Sequence, residues 1–202
     1  MRRASPLCVL AVALLAVPGC KRLKSTNTQP LDQAGIWYEK VQELKGLEIT
    51  DLEVAEIIRL KQAGISDAGC VELLSQARVQ NRPFTDAASI GELARAGVAE
   101  PTILRLGQMK QLPGWAGEAV TIRLTGLSDR VILAVAQRRV AGKTVLSGPV
   151  IAKLKNVEMT EAQILDDINR GMPDAQAEQI IAAKRRAANT TGFVRIRGRK
   201  PR

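Results

Sequence analysis

The chain has 202 residues, a net charge of +10 and no histidine. The lack of histidine excludes Ser-His-Asp and Cys-His catalysis and zinc sites built on histidine. Five aromatic residues are too few for a stacking platform that binds single-stranded nucleic acid. The sequence also has no Cys-x-x-Cys pair, Gly-rich phosphate loop or acidic calcium loop, so we expect no enzyme activity, no cofactor and no metal site.

Residues 1–19 have the three parts of a bacterial secretory signal. Two arginines precede a short apolar run, and small residues lead to Cys20. The run is about half as long as a helix that spans a bilayer, which favours a signal over a membrane anchor. The ending Val17-Pro18-Gly19-Cys20 resembles the lipobox of bacterial lipoproteins. This resemblance implies cleavage before Cys20, a diacylglyceryl group on its thiol and an acyl group, such as palmitate, on its amine. An ordinary signal with a chance cysteine is the alternative.

Cleavage at this point leaves 183 residues and removes two basic residues, so the net charge becomes +8. Lys21 follows the cysteine, and the sorting rule of enterobacterial lipoproteins then favours the periplasmic face of the outer membrane. We interpret residues 20–37 as a lipidated cysteine and a flexible, polar tether. Such a coil would hold the folded domain about 20–25 Å from the lipid.

Residues 38–188 predict an all-α domain of repeated short helix–turn–helix units packed as a small helical array. A capping box at Thr50 and Glu53 opens one helix, Gly64 ends it in a left-handed turn, and Ser66 caps the next. The turn recurs along the chain, and its glycines are Gly64, Gly97, Gly126 and Gly171. Residues 119–122 alternate in a β-like way, so a short strand is an alternative there.

Several other residues are assigned from their surroundings in the sequence. Cys70 lies on an apolar helical stripe and is expected to be buried filler. The aromatic residues Trp37, Tyr38 and Trp115 are expected to pack in the core or against it, and a ligand cage is the alternative. The neighbouring carboxylates at 166 and 167 are expected to form solvated surface, since adjacent helical residues point in different directions.

Two resemblances to known families bear on the repeat. The segment from Leu60 to Asp67 is similar to a short helical module with an AG(I/V)S-type turn in uncharacterised envelope lipoproteins, which implies no particular activity.

The stretch from Gly64 through Arg78 to Phe84 resembles the tandem helix-hairpin-helix domains of competence-type DNA receptors. In that family, backbone amides of the hairpin bind a DNA phosphate. That family's second turn glycine is replaced here by Ser66, Ala99, Ser128 and Pro173. Side chains at this position keep the backbone amides away from a phosphate. DNA binding is therefore kept as the alternative function and not as the leading one.

Residues 189–202 are predicted to be an extended or disordered basic tail, because Thr190-Thr191-Gly192 breaks the helical pattern. The candidate polyanion contacts, on the last helix and the tail, are Lys184, Arg185, Arg186, Arg195, Arg197, Arg199, Lys200 and Arg202. These charges either give a weak, salt-sensitive attraction to anionic surfaces or are simply solvated.

The sequence therefore predicts a lipid-anchored, non-enzymatic protein of the cell envelope. Its helical repeats are expected to act as a structural or protein-interaction module. The expected partners are the membrane, through the N-terminal lipid, and an envelope protein or anionic surface. The alternative is a DNA- or polyanion-binding envelope protein with degenerate helix-hairpin-helix motifs.

Overall fold

A computed structural model describes residues 26–112 and 114–197, with side chains up to residue 189. These residues form eleven helices and no strand, so the predicted all-α class is confirmed. The helices are α1 (Gln29–Gln33), α2 (Tyr38–Gly46), α3 (Asp51–Gln62), α4 (Asp67–Val79), α5 (Ala87–Arg95), α6 (Glu100–Gln108), α7 (Ala116–Leu124), α8 (Asp129–Val140), α9 (Gly148–Asn156), α10 (Glu161–Arg170) and α11 (Asp174–Arg197).

The helices are arranged in two layers. Each odd-numbered helix packs against the next odd-numbered helix, and each even-numbered helix packs against the next even-numbered one. Each odd-numbered helix also packs, across the two layers, against the even-numbered helix that follows it in the chain. The chain therefore passes from one layer to the other and back, so that each pair of helices contacts only the pairs beside it. This is the arrangement of a helical solenoid.

The core is continuous along the array, because every helix up to α11 places apolar side chains between the layers. The segment at 119–122 illustrates how this follows from the sequence. It lies inside α7, where Ala119 and Ile122 are fully buried while Val120 and Thr121 are partly exposed. Burial at positions i and i+3 is the pattern of a helix, so the strand alternative is wrong.

The turns fall into two classes, which the sequence pattern did not separate. A turn from an odd to an even helix has a left-handed residue followed by a buried apolar one, and its left-handed residues are Gly35, Gly64, Gly97, Gly126 and Glu158. Gly171 also has positive φ, but it ends α10 and leads into the odd-layer helix α11. The Gly171 turn therefore does not correspond to the Gly64 turn. Both classes need a left-handed residue after a helix, so they look alike locally.

The packed array begins at Thr26, within the segment interpreted as a tether. Pro30 stands in the first turn of α1, a position that suits proline, and Leu31 is fully buried. The hydroxyl of Thr26 donates a hydrogen bond to the carbonyl oxygen of Ile49 at 2.5 Å. A helix of five residues is too short to show a hydrophobic period, which is why the sequence did not reveal it.

At the other end, α11 continues through Thr190-Thr191-Gly192 to Arg197. The part of the predicted tail up to residue 197 is therefore helical rather than extended. One glycine costs a helix only about 1 kcal/mol, so Gly192 by itself does not end α11. Arg199, Lys200 and Arg202 lie outside the described residues, as does Cys20. Among the described residues, no helix combines the length and the hydropathy needed to cross a bilayer.

Candidate functional site

A ladder of carboxylates joins the N-termini of the even helices. The acidic residue that opens one even helix accepts a hydrogen bond from the backbone N–H that caps the even helix before it. The four links are Asp67 with Trp37 N at 2.9 Å, Glu100 with Ser66 N at 2.9 Å, Asp129 with Ala99 N at 2.9 Å, and Glu161 with Ser128 N at 3.0 Å. These links place the N-termini of α2, α4, α6, α8 and α10 side by side along one edge of the array, which we call the N-cap edge.

Two of the links also use a serine hydroxyl. Ser66 Oγ donates to Glu100 at 2.6 Å, and Ser128 Oγ donates to Glu161. The hydrogen bond from the Ser128 hydroxyl, together with that from its amide, lowers the pKa of Glu161. Gly69 provides the space for the first of these carboxylates, since a Cβ there would lie 2.4 Å from Glu100 Oε1. The Ser-Asp pattern of the turn thus serves the joint between repeats as well as the helix cap.

The same ladder occupies the amides that the helix-hairpin-helix resemblance would assign to a DNA phosphate. The backbone N–H groups of Ser66, Ala99 and Ser128 each have an internal carboxylate as acceptor. Pro173 has no N–H to offer. A phosphate would have to displace a carboxylate of the next repeat, so the geometry of these turns disfavours DNA binding.

Arg78, the basic residue of that resemblance, is also held inside the protein. Its two terminal nitrogens donate to Glu53 at 2.7 and 2.6 Å, and its Nε donates to the carbonyl of Leu47 at 2.9 Å. Glu53 is buried and accepts the backbone N–H of Phe84 at 3.0 Å as well. Burial alone would raise the pKa of Glu53, but the hydrogen bonds from Arg78 and the backbone outweigh it and lower the pKa to about 2.

Arg82, the next basic residue of the resemblance, forms an ion pair with Asp86 at 2.5 Å. Asp86 is buried, and Arg82 also donates to Gln80 at 2.9 Å. Arg78 and Arg82 therefore join the segments on either side of them. Each of them thus has a carboxylate partner within the protein.

The other reactive groups singled out in the sequence are Cys70 and the neighbouring carboxylates at 166 and 167. Cys70 is fully buried, and burial raises the pKa of its thiol to about 12, so it stays protonated at neutral pH. Asp166 is exposed and pairs with Arg170, but Asp167 faces inward beside Ile168. The expectation that both carboxylates are solvated is wrong for Asp167, whose pKa is raised by burial. In the described part of the chain, no three potential metal ligands lie together.

An aromatic pair lies at the end of the N-cap edge. Trp37 is 74% exposed and Tyr38 is 72% exposed, so the expectation that they pack in the core is wrong. Trp115, in contrast, is 2% exposed, and the guanidinium of Arg139 lies 5.6 Å from its ring centre. Tyr38 opens α2, the position that holds an acid in α4, α6, α8 and α10. Because α2 is the first even helix among the described residues, no earlier cap amide needs an acid there.

Basic residues of α11 line an open groove near the C-terminal end of the array. Lys184 and Arg185 are exposed and face the turn after α9, which contributes Val157 and Glu158. The groove has a volume of about 430 Å³. Since α11 runs on to Arg197, Arg195 and Arg197 lie on the same helix. Their side chains lie outside the described residues, and so do those of the remaining basic candidates further along.

Comparisons with protein-family models, with curated proteins and with solved structures found no match to this chain.

Proposed function

We propose that this protein is a lipid-anchored, non-enzymatic component of the bacterial cell envelope whose helical array docks another envelope protein. The observation that carries the proposal is the two-layer stacking of the helices. Arrays of this kind offer long continuous surfaces on which a partner protein can lie. The N-terminal signal and Cys20 support an anchor on the periplasmic face of the outer membrane.

The middle of the odd layer is the surface that best fits a protein partner. Its partly or fully exposed side chains include Ala88 on α5, Val120 and Thr121 on α7, and Ala152 on α9. These four side chains are small or uncharged, although the same three helices also expose charged residues such as Glu92 on α5 and Lys153 on α9. Interface centres are depleted in charged residues, so we place the centre of the contact at Val120 and Thr121.

The anchor is tested by growing cells with a labelled fatty acid. The wild-type chain should carry the label and fractionate with membranes, and Cys20→Ala should lose both properties. Cys8→Ala is the matched control, because Cys8 lies in the signal and should leave the labelling unchanged. Recovery of the wild-type mature chain, unlabelled, from the soluble fraction would refute the anchor.

The scaffold is tested in living cells with a photo-crosslinking amino acid at single sites. A crosslinker at Thr121 should give a defined adduct with an envelope protein. The same crosslinker at Gln137, an exposed residue of the even layer, is the matched control and should give little. Equal labelling at both sites, or none at Thr121, would refute the assignment of the docking surface to the odd layer.

The groove at α11 favours polyanion binding as a second candidate function. Lys184→Gln with Arg185→Gln should weaken binding of the full chain to anionic vesicles, and the loss should shrink as salt rises. Lys45→Gln with Lys143→Gln removes the same charge elsewhere and serves as the control. If both pairs weaken binding equally, only the net charge matters. Tight binding that prefers duplex DNA to vesicles would favour the helix-hairpin-helix alternative.

A further inference from the structure

We infer that Trp37 and Tyr38 are an interfacial anchor that inserts into the headgroup region of the bilayer that carries the protein. This inference rests on the proposed lipid anchor at Cys20. It adds a second point of membrane contact, and it fixes which end of the array faces the lipid.

The backbone that carries Trp37 and Tyr38 is held in place by contacts with the rest of the array. The backbone N–H of Trp37 is held by Asp67 at 2.9 Å, and Asp67 is itself paired with Lys61. Within α2, the side chains of Val41 and Leu44 are buried in the core. The start of α2 is therefore fixed, while the two aromatic side chains that begin it extend into solvent.

The position of Tyr38 in the carboxylate ladder also indicates that the aromatic pair lies on the end surface of the array. In the four later even helices, the residue equivalent to Tyr38 reaches back to the preceding even helix. Tyr38 has no such helix before it among the described residues, so its ring lies on the side where a preceding repeat would otherwise pack. A polar residue would be the usual choice for a terminal repeat in water. Two neighbouring aromatic rings instead suit the interface between a bilayer and water.

The length of chain before the array directs this end toward the membrane. Thr26 is fixed to the array through its hydrogen bond to Ile49. The six residue steps between Cys20 and Thr26 can span at most about 20 Å. With Cys20 acylated, the first repeat is thus held close to the headgroups, and later repeats are free to extend away from them.

Tryptophan and tyrosine suit this environment because each has an apolar ring and a polar N–H or O–H group. Such side chains concentrate where the bilayer meets water. The other large apolar residues that are exposed, such as Val79 and Leu124, are aliphatic and belong to later helices. The pair at 37 and 38 is therefore chemically distinct and lies in the repeat nearest the anchor.

The sequence offers a direct test, because it has only two tryptophans. The full-length chain, expressed in a bacterium and reconstituted into vesicles with brominated acyl chains, would be made as Trp115→Phe so that only Trp37 fluoresces. We expect its emission to shift to the blue and to lose intensity to the bromines, because tryptophan at the headgroup level lies next to the acyl chains. The matched Trp37→Phe chain reports only the buried Trp115 and should be much less affected.

The substitution of Trp115 breaks no hydrogen bond, since its indole nitrogen is buried without a partner, but it removes ring volume from the core. If Trp115→Phe nevertheless lowers the yield, the emission of the wild-type chain minus that of Trp37→Phe gives the same quantity. Mass measurement of the acyl group on Cys20 is made on the same sample, so that the anchor and the aromatic contact are scored separately.

Three results would overturn the inference. An acylated chain whose Trp37 is quenched by iodide in the water, but not by the bromines, refutes it and leaves the anchor in place. A Trp37 that is shielded from both quenchers is covered by protein, which also refutes it. A chain without an acyl group refutes the proposed anchor, and the inference that rests on it fails as well.

Discussion

Replacing Glu53 with glutamine removes the charge at the most heavily bonded buried carboxylate described here. Glu53 is 3% exposed and accepts hydrogen bonds from Arg78, Phe84 and Thr50. Its pKa falls from 4.5 to about 2 on folding. A shift of this size corresponds to about 3 kcal/mol of stability at neutral pH. Removing one partner of a buried ion pair costs about 3–5 kcal/mol, and the partial exposure of Arg78 places this case at the lower end.

The effect has a defined pH dependence. Because the pKa of Glu53 is lower in the folded state than in the unfolded state, its contribution is complete above pH 4.5 and is lost as the pH falls toward 2. Glu53→Gln should therefore lower the free energy of unfolding by about 3 kcal/mol at pH 7 and by much less near pH 2.5. The difference between the two chains isolates Glu53 from other carboxylates with lowered pKa, such as Asp67.

Urea unfolding of both chains across this pH range is the assay. Glu92→Gln is the matched control, since Glu92 is exposed on α5 and its loss should change the stability little at any pH. If Glu53→Gln is as stable as the wild type at pH 7, or loses the same amount at every pH, the ion pair does not support the fold in the way we describe.

Three further predictions concern the turns and the buried thiol. Gly64→Ala should lower the free energy of unfolding by about 1 kcal/mol, because Gly64 has a φ of +88°. Gly46→Ala is the control, since Gly46 has open space around it and no positive φ, and thermal melts compare the two variants. Cys70 should resist a thiol reagent in the native chain and react in urea, as counted by mass, because its pKa is about 12 and it is fully buried. Glu158→Gly should raise the stability by about 1 kcal/mol in the same melts, because Glu158 has a φ of +62°.

The sequence reveals those features of the fold whose partners lie within a few residues. The capping box that begins at Thr50 is present as predicted, and a second one begins at Thr160; each involves residues only three positions apart. The burial of Cys70 follows equally from its helical stripe. Such features need no knowledge of which helix lies beside which.

The features that define the candidate surfaces depend on contacts between repeats, which a local pattern does not show. Asp67 reads as an ordinary first-turn acid, but its hydrogen-bond partner is the amide of Trp37, thirty residues earlier. The exposure of Trp37 and Tyr38 has the same origin. From the sequence alone, burial is the usual expectation for a large aromatic residue such as tryptophan. Only the stacking order of the helices shows that this pair lies at an end of the array.

Glu158 stands where the earlier turns from an odd to an even helix have a glycine, which is why the sequence pattern assigned the last repeat to the wrong turn. The same residue allows a test of whether these turns are equivalent. It follows α9, has a left-handed backbone and precedes the buried Met159, as the glycine does in the earlier odd-to-even turns. A sequence pattern of glycine followed by an apolar residue does not include it, and points to Gly171 instead.

A non-glycine side chain with the left-handed backbone of Glu158 costs about 1–2 kcal/mol, and glycine would relieve most of that cost. Strain of this kind persists where something else favours the residue. Glu158 lines the groove beside Lys184 and Arg185, where its charge offsets theirs. Glu158→Gly should therefore melt at a higher temperature and bind anionic vesicles more strongly at low salt. A variant that melts at or below the wild-type temperature would show that the turn after α9 is not equivalent to the turn at Gly64.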